Sequence, residues 1–254
     1  MNPIVVIPAR MASARLPGKP LALIHGEAMI VHVWRRGAEA GIGPVVVACE
    51  DPQIADAVRD AGGRAELSDA DHACGSDRIF EVVERIDPDG AFDAVVNLQG
   101  DMPAIDPTAI AAVIEPLADP RVAIATLVSP IADEAELDDL HVVKAALSRP
   151  LGPGETIADA AGFARDRALL AHGPLFHHVG VYAYRRPALA AFAALGPSAR
   201  EREFGLEQLR AMDAGMVIGA RLVDSFPLGV DTPADLDRAR AAMALISPAP
   251  SQKD

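Results

Sequence analysis

The amino-acid sequence predicts a doubly wound α/β fold with a mostly parallel sheet, and three observations carry that prediction. Short β-branched runs such as residues 4–7 and 44–49 are apolar at nearly every position, as strands covered on both faces are. Segments with apolar residues at helical spacing separate these runs, so strand and helix patterns alternate along the first half of the chain. Finally, 254 residues, 50% of them apolar, are enough to bury a core without disulfides or a structural metal.

Residues 4–7 (Ile-Val-Val-Ile) read as the first strand, stopped by Pro8. Met29, Ile30, Val33 and Trp34 then share one helical face, with Arg35, Arg36 and Glu39 opposite. The run 44–49 is the second strand, followed by a helix at 53–61, a strand at 64–67, a helix at 77–86, a strand at 94–98, a helix at 108–117 and a strand at 122–128. From about 130 to 175, Pro130, Pro150, Gly152, Pro153, Gly154, Gly162 and Pro174 interrupt the periodicity, the mark of an inserted segment where function often sits. Residues 175–184 alternate, with His178, Gly180, Tyr182 and Tyr184 on one face and Val179, Val181 and Ala183 on the other. A helix at 203–214, a strand at 216–223 and a helix from Thr232 complete one domain over 1–246. The last residues, 247–254, read as a flexible tail, with two prolines and no apolar periodicity.

Charge narrows the partners. A net charge of -13, from 23 Lys and Arg against 36 Asp and Glu, argues against nucleic acid, whose binders show a basic footprint. Cys49 and Cys74 fit no metal-knuckle or CxxC spacing, which points to a reducing compartment. Met1-Asn2-Pro3 lacks the cationic start of a signal peptide, and no apolar stretch approaches the roughly 20 residues that span a bilayer. A cytoplasmic protein with small-molecule partners and no membrane contact is expected.

The loop after the first strand is the prominent local feature. Residues 1–26 contain Arg10, Arg15 and Lys19 and no Asp or Glu, so this stretch carries +3 and the rest of the chain -16. Ligands of open α/β sheets bind at the carboxyl ends of the strands, which is where this loop falls. The glycine fingerprint of dinucleotide folds is absent, and Gly18-Lys19 fails as a Walker A end because Ser13 stands five residues before Gly18 and Pro20 follows Lys19. On the residues alone, two readings stay open: a cradle for a polyphosphate, or a solvated cationic patch.

The spacing P-A-R-x-x-S-x-R-L-P-x-K, over residues 8–19, is the signature of sugar-activating cytidylyltransferases. Six further segments follow in that family's order: 29–33, 71–78 (Asp71-His72-Ala73-Cys74-Gly75-Ser76-Asp77-Arg78), 96–101, 178–182, 206–210 and 229–233. On these residues the chain resembles the 3-deoxy-manno-octulosonate (KDO) cytidylyltransferase family over nearly its whole length. The resemblance implies a Rossmann-like sheet of the nucleotide-diphospho-sugar transferase type, with a smaller lobe at about 130–200 for sugar binding and dimerisation. It implies that CTP and KDO give CMP-KDO and pyrophosphate for lipopolysaccharide synthesis, that Mg2+ assists, and that the protein is a homodimer.

The same resemblance assigns residues. Pro8, Ala9, Arg10, Ser13, Arg15, Lys19, Gly75, Ser76, Arg78 and Gln99 would hold CTP, with Lys19, Arg15 and Asp101 at the reaction centre. Pyrophosphate gathers charge as it leaves, which suits a lysine there. Asp101 and Asp231 would hold the Mg2+. On the residues alone Asp101 reads as a turn residue after Gly100, and Asp231, as an Asp just before a helix more often is, as structural, at a helix start capped by Thr232 with Pro233 behind it. Gln99, Arg165, His178, Tyr182, Glu207 and Gln208 would bind the sugar acid. His178 and Tyr182, four residues apart on one strand face, would stand about 13 Å apart and touch both ends of an eight-carbon acid. The chain departs from the family at Met102, where a Glu is usual, at His141, where an Asn is common, and at 162–165, where Gly-Phe-Ala-Arg replaces Tyr-Phe-Ser-Arg. Those departures keep a KDO modified on its tail in view as the substrate, and two other readings stand beside it: a related nucleotidyltransferase using sialic-type acids or a sugar 1-phosphate, and CTP sensing without turnover.

Overall fold

A computed structural model of the chain describes residues 1–69, 72, 74–170, 173–224 and 229–246. A nine-stranded sheet runs in the order β5-β4-β1-β6-β10-β7-β11-β9-β8. Its strands are β1 (Pro3–Ala9), β4 (Val45–Cys49), β5 (Arg64–Leu67), β6 (Ala94–Asn97), β7 (Ile124–Ser129), β8 (Lys144–Leu147), β9 (Ile157–Ala164), β10 (Leu175–Arg185) and β11 (Ile218–Leu222). A two-stranded hairpin, β2 (Leu23–Ile24) with β3 (Glu27–Ala28), stands apart from it. The helices are α1 (Met29–Glu39), α2 (Pro52–Asp60), α3 (Gly75–Ile86), α4 (Pro107–Ala112), α5 (Arg186–Ala194), α6 (Ala199–Phe204), α7 (Gln208–Asp213) and α8 (Pro233–Ile246).

The first strand explains why its run is apolar throughout. Val5, Ile7 and Ala9 pack with Ile30 and Val33 of α1, Ile54 and Val58 of α2 and Ile110 of α4. Ile4 and Val6 point the other way, onto Ile79, Val82 and Val83 of α3 and Leu189 and Phe192 of α5. Period-two alternation in a sheet covered by helices on both faces leaves no polar position. The strand continues through Pro8 because β6 pairs with β1 only as far as Val6, whereas β4 pairs on to Ala9. Pro8 therefore lies on a one-sided stretch, where a missing N–H is tolerated.

The sheet is mixed, which corrects the expectation of a mostly parallel one. β5, β4, β1 and β6 are parallel, but β10 is antiparallel to β6, β7 and β8, and β9 is antiparallel to β8 and β11. β8 leads to its antiparallel neighbour β9 without a crossover helix, and β10 returns to pair antiparallel with β8. Because β10 pairs with both β7 and β8, the pairings β10–β7–β11–β9–β8 close into a circuit.

Other expected elements divide. The helix expected at 203–214 is two, α6 and α7, because Gly205 takes the left-handed conformation (φ 63°) and ends α6 as a C-cap. The helix expected at 108–117 stops at Ala112 and becomes a 3-10 turn, Glu115–Ala118, with Pro116 unable to donate to the helical ladder. α5, which the sequence reading did not anticipate, begins at Arg186-Pro187 and buries Leu189 and Phe192. The expected tail at 247–254, and Asp71 and Ala73 of the 71–78 motif, lie outside the described residues. No helix among the described residues is long and apolar enough to cross a membrane.

A small third core fixes the last element. Leu236, Ala239 and Met243 of α8 pack on Ile24, Met29 and Val230, which brings the start of α8 to the loop that follows β1.

Candidate active site

The carboxyl ends of β1 and β6 and the loop after β1 enclose a cleft of about 430 Å³. Of the residues expected to hold the nucleotide, Pro8, Ala9, Arg10, Ser13, Arg15, Lys19, Gly75, Arg78 and Gln99 line it, and so do Asp101 and Asp231. Ser76 does not: it is fully buried one layer behind. His72, Cys74 and Gly100, which carry no sequence-based assignment, also line the wall, as do Ala12, Ala14 and Pro20. Gly100 allows the close approach, since a Cβ there would stand 2.9 Å from the Pro8 carbonyl oxygen.

Lys19 is the centre of the charge arrangement. Its Nζ lies 2.9 Å from Asp101 Oδ2 and 3.1 Å from Asp231 Oδ1, while Arg15 reaches the second oxygen of Asp231 at 3.0 Å. Burial alone lowers the pKa of Lys19, but the two carboxylates outweigh it and hold the pKa above its ordinary value, so the ammonium persists. The Val230 N–H donates to the Asp101 carbonyl at 2.9 Å, fastening the two acidic loops together. Asp231 is free of the capping duty that its position suggests. Asp235 Oδ2 accepts from the N–H groups of Asp231 and Thr232 and from the Thr232 hydroxyl, and the Asp235 N–H donates back to Thr232 Oγ1. Its carboxylate therefore faces Lys19 and Arg15.

A divalent cation fits this donor set. Asp101 and Asp231 converge on one positive charge, the Lys19 ammonium, and two carboxylates with substrate phosphates are a usual Mg2+ environment. Among the described residues no cluster of three or more His, Cys, Asp or Glu is arranged for a metal.

Arg78 lines the cleft but is anchored behind it. Its guanidinium donates to Glu50 at 2.6 Å, to the Asp69 carbonyl at 3.2 Å and to the Ser68 hydroxyl. Gln99 donates through Nε2 to Asn97 Oδ1 at 2.8 Å, and Asn97 in turn lies 3.5 Å from Ser76 Oγ, which is 3.4 Å from the Tyr184 hydroxyl. This polar chain leads from the cleft to a second cluster, where Glu207 sits against Ser76 and Cys74. Burial pushes the Glu207 carboxyl upward, and its Oε1 is buried without a hydrogen-bond partner among the described residues. Gln208, at the start of α7, is buried beside it in sequence.

His178 and Tyr182 belong to the same cluster, in a geometry that the sequence did not indicate. Their ring centroids are 5.6 Å apart, against the expected separation of about 13 Å. The register of β10 on β7 steps from Val179↔Leu127 to Tyr182↔Thr126, so Gly180 and Val181 form a bulge that shortens the strand. Phe163 packs edge-on against His178 at 4.8 Å, and burial lowers the His178 pKa to about 3, which keeps the ring neutral. Arg165 is not brought to the cleft: its exposed guanidinium donates to the Leu140 and His141 carbonyls, at 3.4 and 2.9 Å.

An α/β sheet whose carboxyl edge gathers four cations, Arg10, Arg15, Lys19 and Arg78, around a cleft, with two carboxylates facing Lys19, has the architecture of a nucleotidyltransferase. The chain matches the family model described as cytidylyltransferase over residues 4–218. It is 59% identical over 242 residues to the 3-deoxy-manno-octulosonate cytidylyltransferase of Rhodospirillum centenum, covering 95% of this chain and 93% of that one. With the same-named protein of Paramagnetospirillum magneticum it shares 54% over 243 residues, 96% and 98% of the two chains. A solved CMP:2-keto-3-deoxy-manno-octonic acid synthetase complexed with CTP superposes with a TM-score of 0.85 at 38% identity, covering 97% of this chain and 100% of that chain. A cytidylyltransferase from Leptospira borgpetersenii, at 16% identity and a TM-score of 0.62, shares the fold. The chain belongs to the 3-deoxy-manno-octulosonate cytidylyltransferase family.

Proposed function

We propose that this protein transfers CMP from CTP to the anomeric hydroxyl of KDO, giving CMP-KDO and pyrophosphate and so activating KDO for lipopolysaccharide synthesis. The observation that carries the reading is the convergence of Lys19, Asp101 and Asp231 at the mouth of a cationic loop. In the reaction the sugar hydroxyl oxygen bonds to the α-phosphorus as the bond to the bridging oxygen of pyrophosphate breaks, and the hydroxyl proton passes to solvent. Such a transfer depends on positioning and charge neutralisation more than on covalent help from the protein. Arg10, exposed at the rim, and Arg15 bind the phosphates, and the Lys19 ammonium meets the charge that develops on the leaving pyrophosphate. Asp101 and Asp231 hold Mg2+, which when bound neutralises phosphate charge. Gln99 spans the two regions, with His178, Tyr182, Glu207 and Gln208 behind it to receive the sugar acid.

The reaction is assigned to the cytoplasm and to a homodimer joined through residues 130–200, a lobe that also helps to enclose the sugar. A related keto-sugar acid with an altered tail is the second reading. It is favoured by Arg165, whose guanidinium engages loop carbonyls, and by Met102, whose methyl group lies 3.9 Å from where a Cβ on Gly180 would stand. Phosphorus NMR of the reaction mixture tests the proposal: a phosphodiester signal growing with an equal amount of pyrophosphate supports it, and CTP left intact beside KDO and Mg2+ refutes it.

A further inference from the structure

Thr126 is fully buried in β7 (0% exposed) and lies opposite the bulge of β10. Its Oγ1 is 2.9 Å from the Val181 carbonyl oxygen, 3.3 Å from the Val179 carbonyl oxygen and 3.0 Å from His178 Nε2. Carbonyl oxygens only accept, and the Val181 oxygen is the nearest of the three partners, so we assign the single hydroxyl proton to it. The remaining contact then runs the other way, with the hydroxyl oxygen accepting from His178. On that assignment His178 carries its proton on Nε2, which leaves Nδ1 as an acceptor.

We infer that Thr126 is a positioning residue for sugar-acid recognition: its hydroxyl fastens the bulge that sets His178 beside Tyr182 and selects the His178 tautomer that offers Nδ1 to a substrate hydroxyl. This inference rests on the proposed function, in which His178 and Tyr182 meet the sugar. A buried polar side chain in a mainly apolar strand, donating to the Val181 carbonyl of the bulge and touching the imidazole, joins backbone shape and ring chemistry in one group. Without the hydroxyl, the bulge loses its cross-strand partner and the imidazole its fixed proton.

Long-range proton–nitrogen NMR of the histidine side chains, with His178 assigned from the signal missing in His178→Asn, reads the tautomer directly. The wild type is expected to show the Nε2–H pattern between pH 6 and 8, Thr126→Val to lose it, and Thr126→Ser to keep it. In steady-state assays Thr126→Val is expected to raise KM for the sugar acid about tenfold, with KM for CTP within about twofold, and Thr126→Ser to restore the wild-type value. An Nδ1–H pattern in the wild type, or parallel loss for both substrates in Thr126→Val with no rescue by Ser, overturns the assignment. If the wild type fails to use KDO at all, the proposed function falls, while the tautomer in the wild type and the Ser variant still decides the role of Thr126.

Discussion

Lys19 Nζ lies 2.9 Å from Asp101 Oδ2, a contact that joins the loop after β1 to the turn after β6 across 82 residues of sequence. The lysine is thereby held at the floor of the cleft, charged, in the space between the two carboxylates assigned to Mg2+. Asp101 and Asp231 are thus paired with the protein's own cations, Lys19 and Arg15.

Removing the carboxylate isolates its role. Asp101→Asn is expected to lower kcat by about 10²–10⁴-fold while CTP affinity changes by no more than about threefold. Steady-state kinetics alongside calorimetric titration with CTP check this. Equal losses in both would make Asp101 a binding residue instead.

In the proposed reaction, a divalent cation held by Asp101 and Asp231 would compete with Lys19 for the same two oxygens. Lys19→Met is expected to bind Mn2+ without nucleotide about tenfold more tightly than the wild type, read by electron paramagnetic resonance, while pyrophosphate release drops about 10³-fold. Weaker Mn2+ binding in the variant would contradict a shared site.

His178 should leave a mark on acid stability. Burial lowers its pKa to about 3, and burial also lowers that of His177, which pairs with Glu136 at 2.8 Å. Below pH 6.5 the unfolded chain takes up protons that native His178 refuses, so this contribution is present above about pH 6.5 and is lost as the pH falls toward 3. Relative to His178→Asn, the wild type should lose up to about 1.4 kcal/mol of unfolding free energy per pH unit in that window. Urea melts of both proteins at pH 7, 6 and 5 give the slopes, and parallel slopes would refute neutral burial.

Lys144 is the structural counterpart. It is fully buried (0% exposed), and its ammonium donates to the carbonyls of Asp139, Val142 and Arg165, pinning the 139–142 loop to the end of β9. Lys144→Met is expected to cost about 3 kcal/mol and roughly 10 °C in Tm, because three carbonyls lose their donor. Calorimetry checks this, and a change under 2 °C would show that water replaces the ammonium freely.

What the sequence revealed follows from how each feature is encoded. The helix-covered strands β1, β4 and β6 announce themselves because burial on two faces forces apolar residues at every position. β8 and β9 do not, since Ala145, Ala146, Ala160, Ala161 and Gly162 carry little hydrophobic contrast. The bulge in β10 leaves no trace in the alternation, because two extra residues preserve parity: Val179, Val181 and Ala183 still enter one core and Tyr182 and Tyr184 the other. That is why the His178–Tyr182 separation was misjudged. The cationic loop was legible from charge and spacing, whereas Glu50, Asn97 and Thr126 act from behind the site. Asn97 and Thr126 gave one usable signal, a polar side chain inside a buried apolar strand.

Pyrophosphate release from each of CTP, ATP, GTP and UTP, with Mg2+ and with KDO, a sialic-type acid or a sugar 1-phosphate as acceptor, tests the proposed reaction most directly. Release with CTP and KDO together, and none when either is omitted, is the expected result. No release from CTP and KDO, or equal release with a sugar 1-phosphate, would contradict it.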